Sequence, residues 1–426
     1  MDSMNSGNTF PFTPLDYLKI TIMGFGVSVF LGSMNSVVLP IRLLEIVPET
    51  MKNSYLGYLT FAGLVIAMVT QPVIGQISDR SRFAWGRRRP FILLGILLAI
   101  FLAPGIGLWQ TYAVILLNWC LLQFATNTAQ ASYQSFIPDL VPENKKGTAS
   151  GIKAMIEFSG SFIIIRFIAV FMDRYAPGES QFWLWVTLGI LMLVLLGPMI
   201  YTLVAVREIP GPGGLETPFL SGLSRSFNIE LRKNREFFWF LVSRAVMSLP
   251  GTALQTYFYY YVKDIFNPEN PAGMATNVLL VVGLSLIITA AITGRLSDRF
   301  GRKPVLVSCG FIGALGILIL HLSQNQLHLM ISGFFIGAGN GAFWGTSWAQ
   351  AADLLPKDES ARFMGLTNLA TVVGSGLARL IGPVIDFFNG ISQNSGYSVM
   401  LLIGGLCYIG GSLIVMMKIK ETRKVK

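Results

Sequence analysis

Residues 75–90 read GQISDRSRFAWGRRRP, and residues 294–304 read GRLSDRFGRKP. Both contain G-x-x-S-D-R, a short spacer and then G-R-[RK]-P, and both follow a long apolar run. A second phrase also recurs, because Asp139 opens D-L-V-P and Asp353 opens D-L-L-P, each with a glycine 12 residues later. The copies lie 219 and 214 residues apart, about half of the 426-residue chain. Two spaced motifs repeated at nearly one offset predict a tandem duplication.

The composition indicates a membrane protein. Hydrophobic residues make up 53% of the chain and charged residues 13%, whereas a soluble chain carries roughly a quarter charged residues. Twelve apolar stretches approach the roughly 20 residues that cross a bilayer, and each must be helical because lipid offers no partner to an unpaired amide. They are residues 17–39, 55–77, 91–109, 111–135, 148–171, 182–206, 237–262, 276–296, 304–321, 328–352, 361–388 and 396–417.

The basic residues are unevenly distributed between the two ends of these spans. If the N-terminus is cytoplasmic, 25 of the 32 Lys and Arg residues fall in inner loops, tails and helix ends, four fall in outer loops, and three lie inside spans. This bias follows the positive-inside rule and predicts that both termini are cytoplasmic. The net charge of +10 is therefore explained by topology and contact with membrane lipid rather than by nucleic acid binding.

The expected fold class is an all-α membrane protein of twelve transmembrane helices, arranged as two parallel six-helix repeats. Residues 1–206 form the N-terminal half and residues 237–426 the C-terminal half, joined by a cytoplasmic linker at 207–236 that begins REIPGPGG. Two repeats in a membrane protein predict a transporter with its site between them. No metal or cofactor is expected, because the three cysteines and two histidines lack ligand spacing.

The repeated loops carry a family resemblance. Twelve spans in two halves, with G-x-x-S-D-R…G-R-[RK]-P after the second and eighth, resemble the major facilitator superfamily. The segment Gln71–Ile92 and the NTAQ element at Asn127–Gln130 are similar to the sucrose-type proton symporters and their glycoside–pentoside–hexuronide relatives. The resemblance implies a monomeric transporter of the plasma or inner cell membrane, driven by a coupling ion, a proton rather than sodium.

The resemblance also implies a latch at the inner gate, for which topological anchoring is the alternative. The predicted latch residues are Asp79, Arg80, Arg87, Asp298, Arg299 and Arg302. One departure from the sucrose-type pattern matters. Those symporters carry an Asp four residues before the Asn of the element and an Arg four residues after its Gln, where this chain has Gln123 and Gln134. Proton–sucrose symport therefore does not follow directly from the resemblance.

Seven residues are predicted to contact the substrate. Four amides on the fourth span recur at spacings of 4, 3 and 4 residues, which places them on one helix face that would be costly toward lipid. On the tenth span, an asparagine is followed by two tryptophans at helical spacing. Amides and aromatic rings suit the hydroxyls and apolar faces of sugars, although helix–helix hydrogen bonding is the alternative for the amides. The residues are Gln123, Asn127, Gln130, Gln134, Asn340, Trp344 and Trp348.

Two Arg–Asp pairs recur inside the spans. Arg166 and Asp173 lie seven residues apart on span five, and Arg379 and Asp386 lie seven apart on span eleven, 213 residues later. Each Asp therefore shares a face with its Arg, nearer the outer end. An arginine inside a span indicates a functional site, here an outer gate or an anion-binding pair, with snorkelling as the alternative. By resemblance, spans five and eleven should face each other, and Arg244 on span seven is assigned to the inner gate or topology.

Glu157 is the only carboxylate well inside a predicted span. A carboxyl shielded from water can exchange a proton near working pH, so Glu157 is the candidate for ion coupling. The alternative is a salt bridge with Lys153, four residues earlier. The aromatic run 257–261 at the end of span seven is expected to form mostly an outer interfacial belt.

Three functional hypotheses remain. The first is a secondary transporter of a small polar solute, a sugar or glycoside. The second is an organic-anion or sugar-acid transporter or an efflux pump, favoured by the intramembrane arginines. The third is a membrane assembly factor that uses the fold without transport. An enzyme is not expected, because the chain shows no nucleophile–base pair or nucleotide motif.

Overall fold

The computed structural model describes residues 13–142, 145–175, 181–206, 208, 235–354 and 360–421. These residues are helical apart from short connections. The predicted linker 207–236 lies outside the described residues except for Glu208, Arg235 and Glu236. Ten segments of the described chain are long and apolar enough to cross a membrane.

Nine helices precede the linker. They are α1 (Pro14–Ser33), α2 (Leu39–Leu43), α3 (Lys52–Arg80), α4 (Arg89–Leu102), α5 (Gly105–Leu108), α6 (Tyr112–Gln134), α7 (Phe136–Leu140), α8 (Lys146–Met172) and α9 (Phe182–Ala205). A π-helical turn at Met34–Val38 joins α1 to α2, and a short 3₁₀ turn at Glu49–Met51 precedes α3.

Seven helices follow the linker. They are α10 (Arg235–Phe266), α11 (Pro271–Phe300), α12 (Arg302–His321), α13 (Gln326–Leu354), α14 (Ser360–Arg379), α15 (Gly382–Ile391) and α16 (Ser395–Lys418). Every predicted span coincides with a long helix or a helix pair. The helices α6 and α13, in the fourth and tenth predicted spans, are not among the ten segments that meet the length and hydropathy criteria.

The helix ends and bends have local causes. Thr13 and Asp16 form a capping box at the start of α1, and Pro14 occupies a first-turn position where its missing N–H costs nothing. Pro40 follows the π-helical turn, a combination that re-routes the backbone hydrogen bonds which a helical proline interrupts. Pro72 and Pro250 lie inside α3 and α10, where proline is a known cause of helix bending.

The two halves use the same helix pairings. In the first half α1 packs on α8 and α9, α6 packs on α3 and α4, and α4 contacts α9. In the second half α10 packs on α14 and α16, α13 packs on α11 and α12, and α12 contacts α16. If the six spans of each half are numbered in order, these five pairings are identical.

The halves meet along two related seams. The helix α8 packs on α11, and α15 packs on α3 together with α14. Span five therefore pairs with span eight, and span eleven with span two, so the expectation that spans five and eleven face each other is wrong. We call the end at which α1 begins and α16 ends the terminal face. The opposite end, which holds the connections at 44–51 and 267–270, is the distal face.

Glycines permit the closest helix contact in the second half. A Cβ added at Gly341 of α13 would lie 2.9 Å from the carbonyl carbon of Leu286 on α11. Gly337, one turn earlier on the same face, would place a Cβ 2.9 Å from Cα of Val282. The backbones of α11 and α13 therefore approach too closely for a side chain at either position, as small residues allow in membrane bundles.

We predict opposite effects for two Gly→Ala substitutions. In a helix interior, alanine is favoured over glycine by about 1 kcal/mol, but overpacking costs about 1–3 kcal/mol. Gly341→Ala should lower the melting temperature of the purified protein by several degrees. Gly410→Ala, at a position of α16 where a Cβ meets no atom within 4 Å, should leave it unchanged or raise it. Equal melting temperatures for the two variants would contradict the close contact of α11 with α13.

Candidate substrate site and gates

A cavity of about 280 Å³ lies between the halves, mainly against the second. Hydroxyls and amides occupy part of its wall, and Thr252 and Ser375 are 3.1 Å apart there, oxygen to oxygen. Aromatic rings form another part, and the lining includes no charged side chain. The wall could therefore hold a neutral polyhydroxy compound by hydrogen bonds and ring contacts. The polar and aromatic lining residues are Phe158, Phe162, Ser248, Thr252, Gln255, Phe258, Ser332, Asn340, Trp344 and Ser375.

Two of the seven predicted substrate residues, Asn340 and Trp344, line this cavity. The Asn340 side-chain oxygen accepts a hydrogen bond of 3.2 Å from the Tyr408 hydroxyl, which fixes the amide at the cavity wall. Trp348 lies one turn beyond Trp344 on α13 and is half-buried, with its ring against Arg244 rather than in the cavity lining.

The amides of α6 are bonded to one another and to α3. Gln71 donates a hydrogen bond of 2.8 Å to Asn127, and Asn127 donates one of 3.0 Å to the Gln123 side chain. Gln123 and Asn127 are buried, while Gln130 and Gln134 are half-buried. None of the four is among the cavity-lining residues. In this conformation the inner part of the ridge makes the helix–helix hydrogen bonds that were the alternative to substrate contact.

At the distal face, two aspartates cap helices of the opposite half. Asp173, just beyond α8, accepts hydrogen bonds of 2.8 and 2.7 Å from the N–H groups of Ala272 and Gly273 at the start of α11. Asp386 on α15 accepts one of 2.6 Å from the Ser54 N–H at the start of α3, and one of 2.9 Å from Asn53. The first N–H groups of a helix have no intrahelical partner and favour a negative charge, so each carboxylate ties one half to the other.

Burial affects the carboxyl group of Asp173. Desolvation raises its pKa, while the Ala272 and Gly273 N–H groups and the nearby Arg166 act in the opposite direction. Arg166 donates a hydrogen bond of 2.5 Å from Nε to the Asn277 side chain on α11. These residues border a polar pocket of about 500 Å³ at the distal face. Arg166 and Asp173 therefore act together at the seam between α8 and α11.

The second distal pair is arranged differently. Arg379 donates a hydrogen bond of 3.1 Å to the Ser375 carbonyl, one turn earlier on its own helix, and its buried Nε has no partner. Its own carbonyl accepts from the Tyr257 hydroxyl, which in turn accepts from the Gly382 N–H at 3.0 Å. Tyr257 therefore braces the break between α14 and α15, the segment that carries Asp386 into the seam.

Further contacts close the distal face. Lys52 pairs with Asp264 at 2.7 Å, and Asp264 accepts a hydrogen bond of 2.6 Å from Tyr397. The Tyr260 hydroxyl donates to the Pro40 carbonyl of the opposite half at 2.8 Å. The expectation that the run 257–261 forms an outer interfacial belt is wrong, because all five rings are at most 7% exposed. Their hydroxyls seek backbone carbonyls inside the bundle, so the rings face protein rather than lipid headgroups.

The terminal face carries two matching clusters. Arg88 is buried, contacts Asp79, and binds Asp139 at 3.1 Å, while its N–H donates to the Glu208 carboxylate at 2.9 Å. Desolvation raises the pKa of Glu208. In the second half, Arg302 contacts Asp353 and lies 3.8 Å from Asp298, and its N–H donates to Glu421 at 3.1 Å. The offsets are 213–219 residues throughout.

Each terminal cluster therefore lies within one half. Of the predicted latch residues, Asp79, Asp298 and Arg302 are in the clusters, and Arg87 binds Asp139 at 2.8 Å. Arg80 and Arg299 are exposed. Sequence reasoning named Arg87 where Arg88 is the equivalent of Arg302, and it missed both glutamates, for which the common offset was the available signal.

Glu157 lies inside the first half, on a face of α8 that meets α1 and α6. Its carboxylate accepts a hydrogen bond from the Tyr133 hydroxyl, and Lys153 approaches to 3.8 Å. A Cβ at Gly24 of α1 would collide with both the carboxylate and the hydroxyl. The neighbours Phe158 and Phe162, rather than Glu157, line the cavity.

Arg244 is a functional candidate that sequence reasoning placed elsewhere. Its side chain is fully buried on α10, and it donates hydrogen bonds to Thr371 at 2.9 Å and Ser347 at 2.6 Å. Its guanidinium carbon lies 4.3 Å from the ring centroid of Trp348 and 5.1 Å from that of Trp344. The assignment to an inner gate does not fit these neighbours, because they belong to the region beside the cavity.

A helical bundle with a central cavity between two similarly packed halves, with ten segments apolar enough to cross a membrane, defines an integral multi-pass membrane protein with a transporter fold. The sequence from residue 21 to residue 360 matches the family described as MFS/sugar transport protein. The chain belongs to this family of the major facilitator superfamily, a family of transporters rather than enzymes, found in the plasma or inner cell membrane.

Individual relatives are distant. The chain is 21% identical over 397 residues to the multidrug resistance protein MdtG of Escherichia coli, covering 92% of each chain. It is 29% identical over 124 residues to the sucrose transport protein SUT1 of Oryza sativa subsp. japonica, covering 24% of this chain and 23% of the relative. Among solved structures, a D-xylose–proton symporter superposes with a TM-score of 0.73 at 16% identity, covering 96% of this chain and 98% of the other.

We predict that the two aspartate caps hold the distal face closed. Each cap contributes about 1 kcal/mol, so Asp173→Asn and Asp386→Asn should each raise the population open at the distal face about 5-fold. The measurement is the rate at which an impermeant maleimide, added on the distal side, labels Gln255→Cys in a variant whose native cysteines are replaced by alanine. Glu269→Gln, an exposed acid at the same face, is the matched control. Equal labelling in all variants would show that the caps do not restrain opening.

Proposed function

We propose that the protein is a secondary transporter that moves a sugar or glycoside across the membrane by alternating access. The observation that carries this proposal is the cavity between the halves, whose wall combines uncharged hydrogen-bonding groups with aromatic rings. Such a wall matches a solute with hydroxyls on its rim and apolar faces. The printed activities of the sucrose transport relative and of the D-xylose symporter agree with this substrate class.

We further propose twelve transmembrane helices in two parallel repeats, residues 1–206 and 237–426, with the cytoplasmic linker 207–236 between them and both termini cytoplasmic. The helices α6 and α13 have 23 and 29 residues and would measure about 34 and 43 Å, enough for a hydrocarbon core of about 30 Å. The repeated helix pairings support the two halves, and the bias of basic residues supports the orientation of the terminal face.

The conformation supports an alternating-access cycle. Hydrogen bonds and ion pairs between the halves cluster at the distal face, including Lys52–Asp264 and the two aspartate caps. The clusters around Arg88 and Arg302 at the terminal face each stay within one half. The structure thus corresponds to a state closed at the distal face. In the proposed cycle, the caps break as the halves rock about the central cavity.

We propose Glu157 as the coupling residue and a proton as the coupling ion, in a monomeric transporter. Glu157 is a carboxylate inside α8, and its contacts are one hydroxyl and one distant ammonium group. A proton on this carboxylate would remove its attraction to Lys153 and change how α8 packs on α1 and α6. Since α8 also forms the seam with α11, protonation could influence which face opens.

The substrate class can be tested with purified protein in proteoliposomes. We expect saturable uptake of a radiolabelled monosaccharide or disaccharide from a panel, and at least about 10-fold loss of uptake in Asn340→Leu, because that change leaves the Tyr408 hydroxyl unpaired and removes an amide from the cavity wall. Asn325→Leu, at an exposed asparagine outside the cavity, is the control. Transport of apolar drugs but of no sugar would instead support the activity of the multidrug resistance relative.

Coupling is tested with Glu157→Gln. The amide resembles the protonated carboxyl and cannot release a proton, so the variant should lose uphill accumulation and retain exchange of substrate between the two sides. Concentrative uptake driven by an imposed pH gradient is measured beside counterflow exchange. Lys153→Gln, which keeps the carboxylate, should retain concentrative uptake. Accumulation by Glu157→Gln at the level of the unmodified protein would exclude Glu157 as the proton carrier.

A further inference from the structure

Arg244 is a buried cation without a buried anion. Its side chain has no exposed surface, and its hydrogen-bond partners are the hydroxyls of Thr371 and Ser347. Among the described residues, no carboxylate pairs with it. Its Nη2 atom is buried and donates no hydrogen bond. The other fully buried arginine, Arg42, shows the usual solution, because it pairs with Glu45 and donates to three backbone carbonyls.

The surroundings of Arg244 compensate its charge incompletely. Three aromatic rings, those of Phe343, Trp344 and Trp348, lie within 6 Å of the guanidinium carbon, and each such contact contributes about 0.5–2 kcal/mol. A charge removed from water costs several kcal/mol, and an unsatisfied buried donor adds a further penalty. The site therefore has affinity left for an anion that would accept a hydrogen bond from Nη2.

Arg244 adjoins the central cavity. Ser248, which lines the cavity, lies one turn farther along α10, about 6 Å along the helix axis. Trp344 also lines the cavity, and the same ring covers the guanidinium at 5.1 Å. One indole thus separates the cation from the cavity, and a rotation of this side chain would expose Nη2 to a bound solute.

We infer that the transported solute is a sugar acid, and that its carboxylate pairs with Arg244 while its hydroxyls contact the cavity wall. The inference rests on the proposed sugar transport and narrows its substrate class. The cavity lining itself carries no charge, so Arg244 alone would set the preferred charge of the solute. One guanidinium with one free donor matches a single carboxylate, whereas a phosphate dianion would need more donors. Arg244 is then a specificity residue, because it distinguishes a sugar acid from its neutral counterpart.

The test compares two ligands of the same shape, D-glucuronate and its neutral methyl ester, by isothermal titration calorimetry on the purified full-length protein. We expect the acid to bind at least about 30-fold more tightly than the ester, the factor that a buried charge pair provides. Arg244→Gln should weaken glucuronate binding by a similar factor and change ester binding less than about 3-fold. Arg244→Lys, which keeps the charge, should lose less affinity for the acid.

Two comparison variants locate the effect. Arg166→Gln and Arg379→Gln remove the other intramembrane arginines, and we expect each to leave the preference for the acid unchanged. Equal binding of acid and ester by the unmodified protein would overturn the inference without any variant, so a misfolded Arg244→Gln does not leave it untested. If the ester or D-glucose binds and the acid does not, the inference fails while sugar transport stands. If none of the three binds and apolar drugs do, the proposed sugar transport itself fails.

Discussion

The reciprocal capping of helices across the two halves is the constraint on which the rest of the structure depends. Asp173 leaves the end of α8 and completes the first turn of α11, and Asp386 does the same for α3. Helix starts carry unpaired N–H groups that must find a partner when water is excluded. Each half therefore supplies what the other lacks at the distal face, and separating the halves there exposes four buried donors at once.

This capping explains why the central cavity lies where it does. With the seams drawn together at the distal face, the faces of α10, α11 and α13 diverge beneath them and leave the space that Asn340 and Trp344 border. At the terminal face, the clusters around Arg88 and Arg302 hold each half together rather than one half to the other. The strong polar contacts thus make two firm bodies joined at one end, which is the arrangement that a rocking motion requires.

The sequence predicted the helices well, because lipid permits so few alternatives, and the duplication pointed to Asp173 and Asp386 as related residues. It could not assign the partners of polar side chains. A polar helix face can meet a cavity or a neighbouring helix, and the Gln123–Asn127 amides are bonded to each other and to Gln71. A run of three arginines does not reveal which one turns inward. Glu208 and Glu421 belong to no motif, and only the shared offset relates them.

The position of Glu157 has a consequence for how such a protein can diverge. The carboxylate is enclosed by α1, α6 and α8 of the first half, whereas most of the cavity wall belongs to the second half. If Glu157 couples transport as proposed, the choice of cargo and the source of driving force reside in separate inherited segments. Mutation can then remodel one without disturbing the other, so a lineage could acquire a new nutrient while it keeps its energy supply.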